Sequence, residues 1–351
     1  MFKPKIVIAT HSFSPGTSQA LYAYCKSKKY STQFIEHPLF GGLHSWFIGW
    51  LDTVYRVLKS DQKYDLFVGS NNLNASAGVV LKKLGKVKKV IYFAPDFVPV
   101  RFSNSLLNWI YHQLDFFCVK YSDISWNSSS PMKVDPIMVA REKLGLPKKY
   151  RSKQTQLPDG TDNYQALPFK QINRWQMGFV GHLRPGMGLE VLFEAMKKLK
   201  KSHPQIQLIV IGSGPIEKDL KQLILQNNLN IKMLGFMGNL KNVYRILKKC
   251  AIGLAPYQPG TISQFSDPGK IKNYLSVGLP VIVTDVVKIS RELKTNKCGM
   301  VVKYDSRQLS QTIIKLMTDQ KKLVTYRKNT QILAQKYSWS NIFTAALNNV
   351  F

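Results

Sequence analysis

The chain has 351 residues, 44% hydrophobic and 20% charged, a globular composition long enough for two domains with separate cores. Fifty Lys plus Arg against twenty Asp plus Glu leave a formal charge of +30, a field that attracts nucleic acid, an anionic membrane leaflet or phosphorylated ligands. Cys25, Cys118, Cys250 and Cys298 are far apart, with no Cys-x-x-Cys pair and no clustered histidines, which argues against structural zinc and a disulfide framework and fits a reducing compartment.

In chain order, "KIVIATHSFSPGTSQALYAYCKSK" predicts a strand, a glycine-containing loop and a helix, with Gly16 and Thr17 in the loop. "KIVIAT" is too short for a secretory signal, and no apolar run approaches the roughly 18–20 residues of a spanning helix. The expectation is a protein that is soluble or rests on a membrane surface. "LHSWFIGWLDTVYRVLKS" is an aromatic helix whose Trp46, Phe47 and Trp50, with Lys59 nearby, suit either a core-facing stripe or a membrane interface. "YDLFVGSNNLNASAGVVLKKLG" repeats the strand–loop–helix order, and "KKVIYFAPD" adds a buried strand ending at Asp96. Asp96 reads as a group that orients or deprotonates an acceptor hydroxyl, or as an exposed loop carboxylate. Arg101, five residues on, would pair with it or with an acceptor phosphate. His11 reads equally as a loop histidine, and His112 in "NWIYHQLD" as a packed or surface residue. The strands are continuous apolar runs, the pattern of a parallel sheet covered on both faces.

Residues 150–175 form a polar, turn-rich crossing, after which the order restarts through "QMGFVGHL", "GLEVLFEAMKKLKKS", "QLIVIGSG", "IEKDLKQLILQNN", "IKMLGF" and "AIGLAPY". The division predicted is residues 1–168 as one Rossmann-like domain, completed by a returning helix at 340–351, and residues 169–339 as a second. Within the second, "SDPGKIKNYLSVGLPVIVTD" predicts a helix capped by Asp267, with Pro268 at its first position, Gly269 and Lys270 in its first turn, and a buried strand beyond. A helix N-terminus beside an ammonium is a ready phosphate site, and an ordinary capped surface helix is the plainer alternative. The lysines fall in short clusters such as Lys82-Lys83 and Lys197-Lys198, without an arginine-rich tail or a nucleic-acid module, so no nucleic-acid partner is expected.

From Trp175 to Asp285 the sequence resembles the C-terminal domain of the retaining glycosyltransferases of family 4. "GFVGHLRPGMGLEVLFEAMKKL", "LIVIGSGPIEKDL", "IKMLGF" and "DPGKIKNYLSVGLPVIVTD" carry the likeness, with "LPDGTDN" in the crossing and "YSWSNIF" near the end. Six stretches in the family's order outweigh any one Gly-x-Gly turn. The resemblance implies an α/β GT-B fold, two Rossmann-like doubly wound domains facing across a cleft. It implies transfer of a hexose from a nucleotide-sugar donor to a glycan or lipid-linked acceptor, with retention, in cell-envelope polysaccharide assembly. A non-catalytic sugar-nucleotide-binding partner subunit and a nucleotide-sugar epimerase of the same fold are the alternatives.

The residues implied are Asp96, Arg184 and Lys270 for catalysis, with Gly16, Thr17, Gly181, His182, Gly212, Phe236, Asp267, Pro268, Gly269, Ile271 and Asn273 around the donor. No metal and no cofactor beyond the donor itself are expected. The location implied is the cytoplasm, with peripheral contact to the inner face of the plasma membrane as one option. The sequence departs from the family at five places: His182 and Met187 stand where it carries an Arg and a Lys, Phe265 and Asn273 where it carries an acidic pair, and Pro95 where it often has a histidine before the aspartate, leaving only Asp96. Arg184 and Lys270 are the cations that would rebuild the diphosphate clamp from shifted positions.

Overall fold

A computed structural model describes residues 3–12, 16–38, 42–95, 97–129, 135–162, 164–261, 263 and 267–351. The chain forms two compact units, Met1–Pro158 with Ile342–Phe351, and Asp159–Asn341. Each holds a six-stranded sheet among the described residues, parallel throughout.

In the first unit the strands are β1 (Lys5–Ser12), β2 (Ser31–Pro38), β3 (Tyr64–Ser70), β4 (Val87–Ala94), β5 (Ile124–Ser128) and β6 (Gln154–Leu157), in the order β2-β1-β3-β4-β5-β6. The helices between them are α1 (Thr17–Ser27), α2 (Gly42–Lys59), α3 (Asn71–Lys83), α4 (Ser105–Tyr121) and α5 (Pro136–Lys143). Central strands such as Ile6–Ala9 and Leu66–Val68 are buried on both faces, which is why they read as unbroken apolar runs. A buried polar network adds specificity to this core. Arg141 makes a two-pronged contact with Asp115 (2.8 Å for each bond) and donates to Asn127 (2.6 Å), while the Tyr92 hydroxyl donates to Asp115 (2.5 Å). This multiple pairing offsets the desolvation of an ion pair that has no solvent exposure. The terminal segment docks here too: Thr344 hydrogen-bonds the Tyr24 hydroxyl (2.9 Å), and Phe343 packs against the Tyr24 ring.

In the second unit β7 (Gln176–Val180), β8 (Gln207–Ile211), β9 (Ile231–Met233), β10 (Ile252–Ala255), β11 (Val281–Thr284) and β12 (Gly299–Val302) take the order β12-β11-β10-β7-β8-β9. Helices α6 (Leu189–Ser202), α7 (Glu217–Asn227), α8 (Leu240–Leu247), α9 (Gly269–Ser276), α10 (Ile289–Thr295), α11 (Ser306–Thr318) and α12 (Gln320–Lys336) follow, and α13 (Trp339–Asn348) closes the chain. Strand order reverses between β7 and β10, and in such sheets the crevice beyond the strand C-termini at that reversal is where ligands bind. No helix among the described residues is long and apolar enough to cross a membrane.

Candidate functional site

The β7–β10 reversal is held open by one tyrosine. Tyr274 of α9 is fully buried; its hydroxyl accepts from the Val180 N–H at the end of β7 (2.9 Å) and donates to the Leu254 carbonyl of β10 (3.1 Å). Beyond Val180 the chain turns through Gly181, which has φ +148° and donates its N–H to the Ile211 carbonyl (3.0 Å). Gly212, at φ +143° after β8, lies so close that a Cβ there would stand 1.9 Å from the Gly181 carbonyl oxygen. Only glycine satisfies both the conformation and the approach. The loop between Gly181 and α6 is anchored on the following turn by Leu183 N–H to Ser213 O (2.9 Å).

Lys270 reaches into this space from α9. Its Nζ lies 4.4 Å from the centre of the Phe179 ring and 4.9 Å from that of Tyr257, and 3.8 Å from Met187 Sδ. A Cβ at Gly181 would be 2.9 Å from the same nitrogen. Two aromatic faces and a thioether stabilise a cation weakly. Burial, followed by the nearby Arg184 charge, therefore lowers the Lys270 pKa from 10.5 to about 7. Neither Lys270 nor Arg184 forms an ion pair among the described residues. Lys270 lies beside a glycine turn with the Arg184 charge near enough to oppose its own, and an anion bound there would favour its charged form.

The start of α9 differs from the sequence expectation. Asp267 is not its cap: Pro268 holds the N-cap position without a side-chain bond, and Gly269 is the first helical residue. The Asp267 carboxylate instead pairs with Lys272, both side chains fully buried, and accepts from the Asp159 N–H (2.7 Å). Lys272 lies over the Tyr337 ring as well. The backbone donors expected for phosphate are also altered. The Ile271 N–H donates to Pro268 O (3.0 Å), and its side chain is core. A Cβ at Gly269 would be 2.2 Å from Asp159 Oδ2, so a carboxylate occupies the space beside the first turn. The helix terminus is furnished with the protein's own acids, and the cationic locus lies at the β7 turn instead.

Asn273 also has internal partners. Its Oδ1 accepts from the Tyr244 hydroxyl (2.9 Å) and from Thr161 Oγ1 (3.3 Å). His182 is exposed, and its carbonyl accepts from the Arg184 N–H (3.1 Å). Phe236, beyond β9, is exposed. Gly16 and Thr17 belong to the first unit, where Gly16 is the N-cap of α1 and donates its N–H to Gln19 Oε1 (2.9 Å), and Thr17 is the first helical residue rather than part of the loop. Asp96 and Phe265 lie outside the described residues. Arg101 is exposed, and its backbone N–H donates to Asn108 Oδ1 (2.7 Å). His112 is buried, its Nε2 2.8 Å from Pro99 O. Among the described residues no cluster of His, Cys, Asp or Glu could hold a metal ion.

Residues 165–332 match the profile of the family described as Glycosyl transferases group 1. Over 163 residues the chain is 23% identical to an uncharacterized glycosyltransferase of Methanocaldococcus jannaschii, covering 46% of this chain and 43% of that protein. Over 138 residues it is 29% identical to the putative colanic acid biosynthesis glycosyltransferase WcaL of Escherichia coli, covering 38% and 34%. The chain thus spans less than half the length of these curated relatives. Among solved structures, Anabaena HepE in complex with UDP and glucose matches with a TM-score of 0.71 at 16% identity, over 99% of both chains. The fold is GT-B.

Within this GT-B fold several functional candidates escape sequence reasoning. Sequence reasoning assigns no role to Tyr274, Tyr257 or Lys272, and only the tertiary contacts reveal strand-end brace, cation platform and buried counter-ion. The "LPDGTDN" and "YSWSNIF" stretches carried a usable signal, because the structure joins them. Thr161 N–H donates to Tyr337 O (2.9 Å), Trp339 N–H to Thr161 O (3.2 Å), and the Trp339 ring covers Gly160. Together with the Asp159–Asp267 bond, this ties the crossing turn to the start of α9.

Proposed function

We propose that this chain is a glycosyltransferase that takes a nucleotide-sugar donor, with the donor diphosphate between Lys270, Arg184 and the Gly181 turn. One observation carries the reading: the Lys270 ammonium, without a carboxylate partner among the described residues, lies 3.8 Å from Met187 Sδ. Met187 is the position at which the resembled family has its own lysine, so the cation arrives from α9 instead. When the sugar leaves, charge grows on the diphosphate oxygens. Fixed cations in a partly desolvated site stabilise that charge more than they stabilise the bound donor.

Anabaena HepE is described with UDP and glucose, so UDP-sugars are the first donors to test. The acceptor we propose is a glycan or a lipid-linked saccharide, and the transfer is retaining. An epimerase would need carboxylates around the departing sugar, and Asn273 is a neutral residue whose oxygen is held by Tyr244 and Thr161. A screen of the purified protein against nucleotide sugars, following release of nucleoside diphosphate, tests the activity. The anomeric proton coupling of the product tests retention. Tight UDP binding without release or transfer, for any donor and acceptor offered, would favour the non-catalytic partner subunit.

A further inference from the structure

In a surface helix the outward side is ordinarily polar, and two helices of the first unit break that rule together. On α2, Gly49, Thr53 and Val57 face the core, while Phe47 (57% exposed), Ile48, Leu51, Tyr55 (59%) and Leu58 form the outward side. Neither tryptophan expected in this stripe is fully outward: Trp46 and Trp50 are both half-buried, and the Trp50 indole N–H donates to Ser76 Oγ of α3 (3.0 Å). On α4 the core side is His112, Asp115, Phe116 and Val119, and Leu106 (63%), Trp109 (60%) and Ile110 point outward.

Both helices pack on α3, α2 through Trp50–Ser76 and α4 through Asn72 Nδ2 to Tyr111 O (3.2 Å). They therefore flank it on one face of the sheet. Single exposed apolar residues are unremarkable, but eight on two helices flanking a third make a surface that water does not favour.

Charge decides what covers it. Asp52, the acid of α2, is tied to Arg56 (2.7 Å), and Asp115, the acid of α4, is fully buried against Arg141. Neither helix presents an unpaired carboxylate, whereas Lys59 lies over the Tyr55 ring and Lys83 over Tyr121. Cations leaning on aromatic rings beside an apolar stripe match the layered chemistry of a lipid interface, phosphate above and hydrocarbon below. A second copy of the chain would bring a +30 molecule against its like, whereas an anionic bilayer complements that charge.

We infer that the outward sides of α2 and α4 form one docking surface that inserts into the interface of an anionic bilayer. The inference is independent of the donor reading, and its test needs no activity. The full chain is sedimented with vesicles of phosphatidylcholine containing about one-third phosphatidylglycerol, in low salt and in about 1 M salt, where the Debye length falls to about 3 Å. The variants are F47S/L51S and W109S/I110S, which alter exposed side chains and whose folding is checked by circular dichroism.

Wild type is expected to keep a salt-resistant fraction bound, and each double variant to lose about tenfold or more of it, because apolar burial is not screened. Brominated lipids are expected to quench fluorescence in wild type more strongly than in Trp109→Phe. Coincident curves for wild type and both variants, or no binding by wild type, would overturn the inference. So would dimerisation without vesicles that the same substitutions abolish.

Discussion

Replacing Lys270 by methionine should move stability and ligand binding in opposite directions. In the free protein the ammonium sits on Phe179 and Tyr257 with Arg184 near, and its pKa falls from 10.5 to about 7. A group whose folded pKa is depressed in this way destabilises the protein wherever the unfolded chain holds the proton more tightly. The penalty is complete below about pH 7 and fades as pH rises toward 10.5. The whole depression corresponds to about 5 kcal/mol. Because the residue is only partly buried overall, solvent screens much of that, leaving about 1–2 kcal/mol.

Lys270→Met should therefore raise the unfolding free energy by that amount near pH 6, with the gain shrinking toward pH 10. On the proposed donor reading, the same change should remove about 2–4 kcal/mol of transition-state stabilisation and weaken binding of UDP. Above pH 7 wild type should take up a proton on binding UDP, since the phosphates restore the ammonium, so calorimetric enthalpies should depend on the buffer's ionisation heat. Urea titrations and UDP calorimetry across pH 6–10 check all three. A Lys270→Met protein that is less stable and binds UDP as wild type does would refute the cationic locus.

Asp267→Asn leaves the buried Lys272 ammonium without its counter-ion and should cost about 3–5 kcal/mol by thermal or urea unfolding, with D267N/K272M recovering part of the loss. Gly212→Ala forces a Cβ against the Gly181 carbonyl at φ +143° and should cost about 2–4 kcal/mol, read from the urea midpoint; a neutral result would show that the β7 and β8 turns are not held together. His11 is buried beside His37 with a hydrogen bond to Asn74, and burial foremost lowers its pKa to about 4. The stability it contributes should be complete above pH 6.5 and be lost, by about 2–3 kcal/mol, as pH falls toward 4. His11→Gln should flatten that slope in urea titrations at several pH values, and an unchanged slope would place the titration elsewhere.

What the sequence determined by itself is the grammar of the fold. Runs such as Ile6–Ala9 and Val281–Val283 are apolar at every position because both sheet faces are covered, so parallel α/β architecture follows from local pattern alone. The glycines at 181 and 212 entered through the family resemblance, and the structure supplies the reason for them, positive φ at two strand ends that approach closely. The roles of the charged side chains were not legible in the sequence. Asp267 read as a cap because a helix start follows it, yet its partner Lys272 is identified only once α9 has folded against Tyr337 and the Asp159 turn. Lys270 and Lys272 are two residues apart with the same chemistry. One meets a carboxylate and the other two aromatic rings, because they leave the helix in different directions into environments built by distant strands. The sign of an electrostatic environment depends on which chain segments close around a group, and that is settled only when the sheet assembles.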